Sequence, residues 1–173
     1  VADFFNPQSD FVKGIDKLDY HLGDTTGEIG LIYIKGSLDN PEAIADIRKL
    51  VERLDSKEFL AHDSKGDLLL IEPNILSLLG FGEINTDDQN EVNNYYNNLI
   101  NKGLLNENNE TIFSASRIKF TLIKSENEFS TVLRVGLPDS ANQEVTTMAR
   151  NELERELEIL KNKDYFSEYG YTG

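Results

Sequence analysis

Two stretches of the sequence, displaced by 100 residues, carry the same order of patterns, and this order limits the folds open to the chain. Residues 29–35 are rich in β-branched and aromatic side chains and predict a strand, as do residues 129–135. A glycine follows each strand, and a stripe of apolar residues at helical spacing then runs over 41–55 and over 141–161. The chain therefore contains two strand–turn–helix units.

Each unit is expected to return through another strand, at 67–71 in the first and at 165–171 in the second. Two β-α-β units of this kind interleave into a ferredoxin-like sandwich. This is an α+β fold in which a mainly antiparallel sheet carries helices on one face. We predict a single domain over 1–173, with a first unit at 29–72, a second at 129–171, and an irregular helical insertion at 73–128.

The two long helices of these units have clear sequence signals. Pro41 occupies the first position of one helix, where a missing N–H costs nothing. The other helix is predicted to start at Ser140, which would form a capping box with Gln143. Its predicted buried stripe consists of Val145, Met148, Ala149, Leu153, Leu157 and Leu160.

Charge and composition argue against several classes of function. The net charge is −14, which opposes nucleic-acid binding because that binding depends on Lys and Arg neutralising phosphates. The sequence has no cysteine, which excludes disulfides, zinc ribbons and thiol nucleophiles. The histidines, His21 and His62, lie far apart, so a zinc hydrolase is not expected.

No candidate catalytic or cofactor site emerges from the motifs. Gly36 and Gly136 are single glycines followed by Asp39 and Asp139, which would repel a phosphate. No Gly-x-Ser-x-Gly nucleophile elbow is present. Asp16, Asp19, His21 and Asp24 could form a metal cluster, but Asp16 and Asp19 lie on the polar side of a helix predicted at 9–22, so we interpret this acidic group at 16–24 as a solvated face. The prediction is therefore a protein that is not an enzyme and needs no metal or cofactor.

The segment Ile75 to Gly82 is apolar, is interrupted by Ser and Gly, and fits poorly into a regular amphipathic pattern. One interpretation is ordinary packing in the core. The other is a wall for a hydrophobic ligand, because ligand sites are mostly apolar with few polar groups. In that case the contact residues would be Ile75, Leu78, Leu79 and Phe81, with the last three partly exposed or lining a groove.

One short motif concerns modification. Asn109-Glu110-Thr111 is an acceptor triplet for N-glycosylation within a polar stretch. In a chain this rich in Asn, one or two such triplets are expected by chance, so the triplet alone does not indicate glycosylation.

The chain begins at Val1, and its longest run of strong hydrophobes is Leu68 to Ile71. A membrane-spanning helix needs about 20 apolar residues. We expect the chain to be an outer domain of a longer membrane protein whose anchors lie outside these residues. The alternative is a mature protein from which a signal peptide has been removed.

The two ends of the chain resemble those of a known kind of loop. Residues 4–9 and 16–23, followed by Ile32-Tyr33-Ile34-Lys35-Gly36, look like the start of the outer loop of RND-superfamily exporters, after the first transmembrane helix. Residues 38–44 are similar to the Asp/Asn-Pro-Glu helix opening of that family. Residues 149–154 and 171–173 resemble the run into the second transmembrane helix. The likeness is closest to the MMPL-like and archaeal exporters.

This resemblance implies a porter domain on the extracytoplasmic side of the cell membrane, with a ferredoxin-like core. Transport would be driven by protons through charged residues of transmembrane helices in the same full-length chain. The domain would contribute to the path of hydrophobic, amphipathic or lipid-like substrates, and the full-length protein could be a homo-oligomer. The alternative from another class is a stand-alone extracytoplasmic binding or adaptor domain without a transport role.

Overall fold

The structure, a computed structural model, describes residues 28–138 and 142–172. Its strands are β1 (Ile29–Gly36), β2 (Leu104–Leu105), β3 (Thr111–Phe113), β4 (Leu122–Ser125), β5 (Glu128–Gly136) and β6 (Phe166–Thr172). Its α-helices are α1 (Pro41–Asp55), α2 (Ile75–Gly82), α3 (Gln89–Lys102), α4 (Ala115–Ile118) and α5 (Gln143–Glu156). A 3-10 helix, Leu157–Leu160, continues α5. The predicted helix at 9–22, the acidic group at 16–24 and Ser140 lie outside the described residues.

Four strands form one antiparallel sheet in the order β4-β5-β1-β6. Strand β1 is central, and it pairs with β5 on one side and β6 on the other. Helix α1 follows β1, and helix α5 connects β5 to β6. The predicted α+β fold with a ferredoxin-like, mainly antiparallel sheet is confirmed.

The edge of the sheet beside β5 is built from two pieces of chain that are distant in sequence. Residues 69–71 pair with the end of β5: the Gly136 N–H donates to the Leu69 carbonyl at 2.8 Å, and the Ile71 N–H donates to the Arg134 carbonyl at 2.9 Å. Strand β4 pairs with the start of β5. Just before β4, the Thr121 carbonyl accepts a hydrogen bond from the Val132 N–H of β5 at 3.2 Å. Both pieces run antiparallel to β5, so together they form one interrupted edge strand.

The chain thus leaves the sheet after Ile71 and rejoins it at Thr121, and the excursion carries α2, α3, the β2–β3 hairpin and α4. The sequence-based boundary of the insertion differs at its end, because residues 122–125 pair with β5 and belong to the sheet. The predicted return strand at 67–71 is not a regular strand. Leu70 pairs with Val135 of β5, and Leu68 pairs with His62.

The main core lies on one face of the sheet, beneath helices α1, α3 and α5. Directly opposite residues of antiparallel strands share a face, so Ile32 stands beside Leu133 and Tyr171. Their side chains join one large cluster with apolar residues from the helices, among them Ile44, Ile47, Leu50, Tyr96, Leu99, Leu153 and Leu157. The other face carries a small separate cluster of Tyr33, Val132, Leu31 and Ile123, to which the described helices contribute no residue.

Helix α1 forms where the local signals place it. The Asn40 side chain accepts a hydrogen bond from the Glu42 N–H at 2.8 Å, and Pro41 opens the helix. Its predicted stripe is Ile44, Ile47, Val51 and Leu54; Ile44, Ile47 and Leu54 are buried on the inner face, and Val51 is partly buried against the core.

Helix α5 differs from its prediction in its first two turns. It starts at Gln143, and Asn142 caps it by accepting from the Glu144 N–H at 2.9 Å. Leu153, Leu157 and Leu160 are buried, but Val145 and Met148 are 40% and 64% exposed. Their inclusion in the buried stripe was wrong, because no described residue of α5 before Ala149 is buried.

Candidate functional site

The apolar segment singled out in the sequence forms helix α2. Asn74 caps it, because its side-chain oxygen accepts from the N–H groups of Leu76 and Ser77, each at 3.0 Å. The Ser77 hydroxyl accepts from the Asn74 N–H at 2.9 Å and completes a capping box. The segment is therefore a helix of about two turns with a capping box at its N-terminus.

Helix α2 separates the four predicted contact residues into two groups. Ile75, Leu78 and Leu79 are buried and belong to the main core cluster. Leu78 and Leu79 were expected to be partly exposed or to line a groove, but both side chains are buried in the core, as the packing interpretation predicts. Phe81 lies on the outer side of the last turn and is 50% exposed.

The exposed ring of Phe81 contacts the insertion's hairpin. Its centroid is 6.0 Å from that of Phe113 in β3, and the rings are tilted by 71°, an edge-to-face arrangement. Phe113 is half-buried and pairs with Leu104 of β2. We call Phe81 and Phe113 the aromatic edge. Phe113 was not among the residues predicted from the sequence, because residues 111–116 mix helix and strand signals.

Helix α2 is fixed against α3 by Tyr95. The Tyr95 hydroxyl donates to the Leu78 carbonyl, and burial raises the pKa of Tyr95 to about 12. A Cβ atom at Gly82 would stand 2.5 Å from the Tyr95 ring, so a larger residue at this position would displace that ring. Tyr95 thus lies against helix α2 at Leu78 and at Gly82, while the Phe81 ring remains accessible.

A polar groove of about 750 Å³ opens elsewhere on the surface, at the start of α1. Its lining includes Asn40, Glu42, Asp46, Lys163 and Tyr165. The Tyr165 hydroxyl donates to the Asp46 carboxylate, and burial together with this bond raises the pKa of Tyr165. Lys163 Nζ lies 3.8 Å from Asp46 Oδ2. Tyr165 and Lys163 thus both interact with Asp46, and none of the predicted contact residues lines the groove.

Comparison of the chain with protein-family models, with curated protein sequences and with solved structures finds no match. The resemblance to RND-superfamily exporters therefore stays a prediction from the sequence.

The remaining candidates for chemistry can be placed only in part. Within residues 28–138 and 142–172, no group of three or more His, Asp or Glu side chains is arranged to hold a metal ion. His62 lies between two backbone carbonyls, with Nδ1 at 2.9 Å from the Leu60 oxygen and Nε2 at 2.8 Å from the Asp55 oxygen. In the same part of the chain no helix combines the length and apolar character that crossing a membrane requires.

Proposed function

We propose that this chain is an extracytoplasmic domain of an RND-type, proton-driven membrane exporter. On this proposal the aromatic edge contacts hydrophobic or amphipathic substrates on their path. The proposal rests on the exporter-like ends of the sequence and on the ferredoxin-like core, which is the fold that the resemblance implies. Its partners would be the transmembrane helices of the same full-length chain, where proton coupling would reside.

The observation that carries the substrate role is the exposure of Phe81 at the end of a helix whose other large apolar side chains, Ile75, Leu78 and Leu79, are buried. Half of a large aromatic side chain is left in water, although Ile75, Leu78 and Leu79 of the same helix are packed in the core. An aromatic pair of this kind offers apolar area and a preferred ring geometry to a ligand at low conformational cost. Since the core does not need this exposed half of the ring, a contact outside the domain accounts for it.

A transport assay on the full-length protein tests this role. Phe81→Ser should reduce efflux of a fluorescent amphipathic dye by several-fold while the protein is made at the wild-type level. Met148→Ser is the matched control, because Met148 is an exposed apolar residue on α5, outside the aromatic edge. Normal efflux by Phe81→Ser, or an equal loss in Met148→Ser, would remove the aromatic edge from the substrate path.

The gene sequence on either side of this segment distinguishes the exporter proposal from the adaptor alternative. Apolar spans of about 20 residues directly before Val1 and after Gly173 are required by an exporter. If the natural gene lacks both spans, the exporter proposal fails and an independent binding domain takes its place.

A further inference from the structure

We propose that Asn109 is a site of N-linked glycosylation. The acceptor triplet Asn109-Glu110-Thr111 is the only Asn-x-Ser/Thr sequence in the chain. The structure places this triplet where the β2–β3 hairpin turns, and all three residues are exposed. The inference rests on the proposed function in one respect, since the sugar donor is found on the extracytoplasmic side of a membrane.

The hairpin turn is built by Asn106 and leaves Asn109 free to react. Asn106 Oδ1 accepts from the N–H groups of Asn108 and Glu110, each at 2.9 Å, and the Asn106 carbonyl accepts from the Asn109 N–H at 3.0 Å. The side-chain amide of Asn109 makes no hydrogen bond to the described residues. Asn109 has φ +61°, in the left-handed region that Asn tolerates better than most residues.

The acceptor threonine is also accessible. Thr111 pairs with Leu105, and the β2 strand that holds it is only two residues long. A two-stranded ladder of this length has little stability of its own. A transferase can therefore bind the triplet as an extended peptide without disturbing the four-stranded sheet.

The proposed reaction balances as a simple group transfer. Nδ2 of Asn109 forms a bond to the anomeric carbon of an oligosaccharide carried on a lipid phosphate. The bond from that carbon to the phosphate oxygen breaks, the lipid phosphate leaves, and one amide proton passes to a base of the transferase. No oxidation or reduction is involved.

Two exposed apolar residues flank the triplet and would lie beside the glycan. Leu105, opposite Thr111, is 38% exposed, and Ile112, the next residue along β3, is 43% exposed. A glycan on Asn109 would shield apolar surface that this hairpin otherwise leaves to water.

The test expresses the full-length protein in a host that glycosylates proteins in its secretory pathway. The wild-type protein should migrate as a larger species, and a glycan-cleaving enzyme should remove the difference. Asn109→Asp keeps a residue that tolerates the left-handed region and removes the nucleophile, so the larger species should disappear. Thr111→Ala should abolish it as well, whereas Thr111→Ser and the neighbouring Asn108→Asp should keep it.

A second acceptor separates failure of this inference from failure of the proposed function. Asp164→Thr creates an acceptor triplet at Asn162, which is exposed and also has a left-handed backbone. Modification at Asn162 without modification at Asn109 would overturn the glycosylation site and leave the extracytoplasmic location standing. If neither Asn is modified in Asp164→Thr, the proposed location and the glycosylation site both fail.

Discussion

At the scale of single residues, the buried carboxylate of Glu156 shows how a charge is accommodated between two helices. Glu156 of α5 is 5% exposed and accepts from Arg53 Nε at 2.8 Å, while Lys57 Nζ lies at 3.2 Å. Both cations keep substantial contact with water. The Glu156 carboxylate therefore relies on the two cations for its stabilisation, whereas water also stabilises both cations.

This asymmetry makes a prediction for Glu156→Gln. We expect the free energy of unfolding to fall by about 1–2 kcal/mol, because a charge-assisted hydrogen bond is lost while the cations remain hydrated. Glu152→Gln is the control: it breaks a pair with Arg155 at 2.8 Å on the surface of the same helix and should cost less than about 0.5 kcal/mol. Urea unfolding of both variants measures the difference, and equal losses would contradict the burial argument.

Tyr95 gives a prediction for alkaline pH. Burial raises its pKa from 10 to about 12 in the folded chain, so the unfolded chain loses this proton first. The stability from protonated Tyr95 is fully present below pH 10 and is lost as the pH rises towards about 12. Tyr95→Phe should lower stability at pH 8, through loss of the bond to the Leu78 carbonyl, but should flatten the decline above pH 10. Unfolding curves at several pH values test this, and an unchanged slope would contradict it.

At the scale of elements, helix α5 has two differently packed halves. Its sequence carries an apolar stripe throughout, but the structure buries the stripe only from Ala149 onward, where the helix lies over the sheet and against α1. The first turns of α5 lie outside this contact with the sheet and α1. The helical pattern therefore predicted the helix but not how much of it packs against the core.

The two halves should respond differently to truncation. Leu153→Ala should cost about 2–5 kcal/mol, because it leaves a cavity in the main core. Met148→Ala should stay within about 0.5 kcal/mol, because its side chain is 64% exposed. Thermal unfolding of the two variants gives the comparison. A large loss in Met148→Ala would show that the side chain is packed against something in solution.

At the scale of the whole molecule, the insertion and the sheet share one core. Tyr96 of α3 is completely buried, its ring meets Phe129 of β5 at 5.0 Å between centroids, and its hydroxyl donates to the Leu38 carbonyl at 2.8 Å. Asn93 adds a bond from Nδ2 to the buried Asp39 at 2.8 Å. The insertion is therefore fastened to the connection between β1 and α1.

Shared packing predicts shared cooperativity. Tyr96→Ala should cost about 3–5 kcal/mol and lower the amide exchange protection of both α3 and β5. Tyr96→Phe keeps the ring and loses only the hydroxyl bond, so about 1 kcal/mol is expected. Hydrogen exchange read residue by residue decides the point. If Tyr96→Ala released α3 while β5 kept its full protection, the insertion would be an independent unit.

The sequence by itself determined the elements whose signals are local. Helix α1 lies at 41–55 as predicted, because its cap, its first-turn proline and its stripe lie within one segment. Strands β1, β5 and β6 follow from short runs of β-forming residues, and the order of strands and helices limited the fold to interleaved β-α-β units. The apolar segment of α2 was also identifiable, although its sequence did not distinguish packing from exposure.

Only the tertiary structure decided which segments meet. Residues 69–71 and 121–125 form one edge because both pair with β5, and hydrogen bonds between segments so far apart leave no periodic trace in the chain. The same holds for the aromatic edge, since Phe81 and Phe113 are brought together by the fold of the insertion. Burial of Leu78 and exposure of Phe81 were settled in the same way, because the face that α2 turns inward depends on where α3 lies.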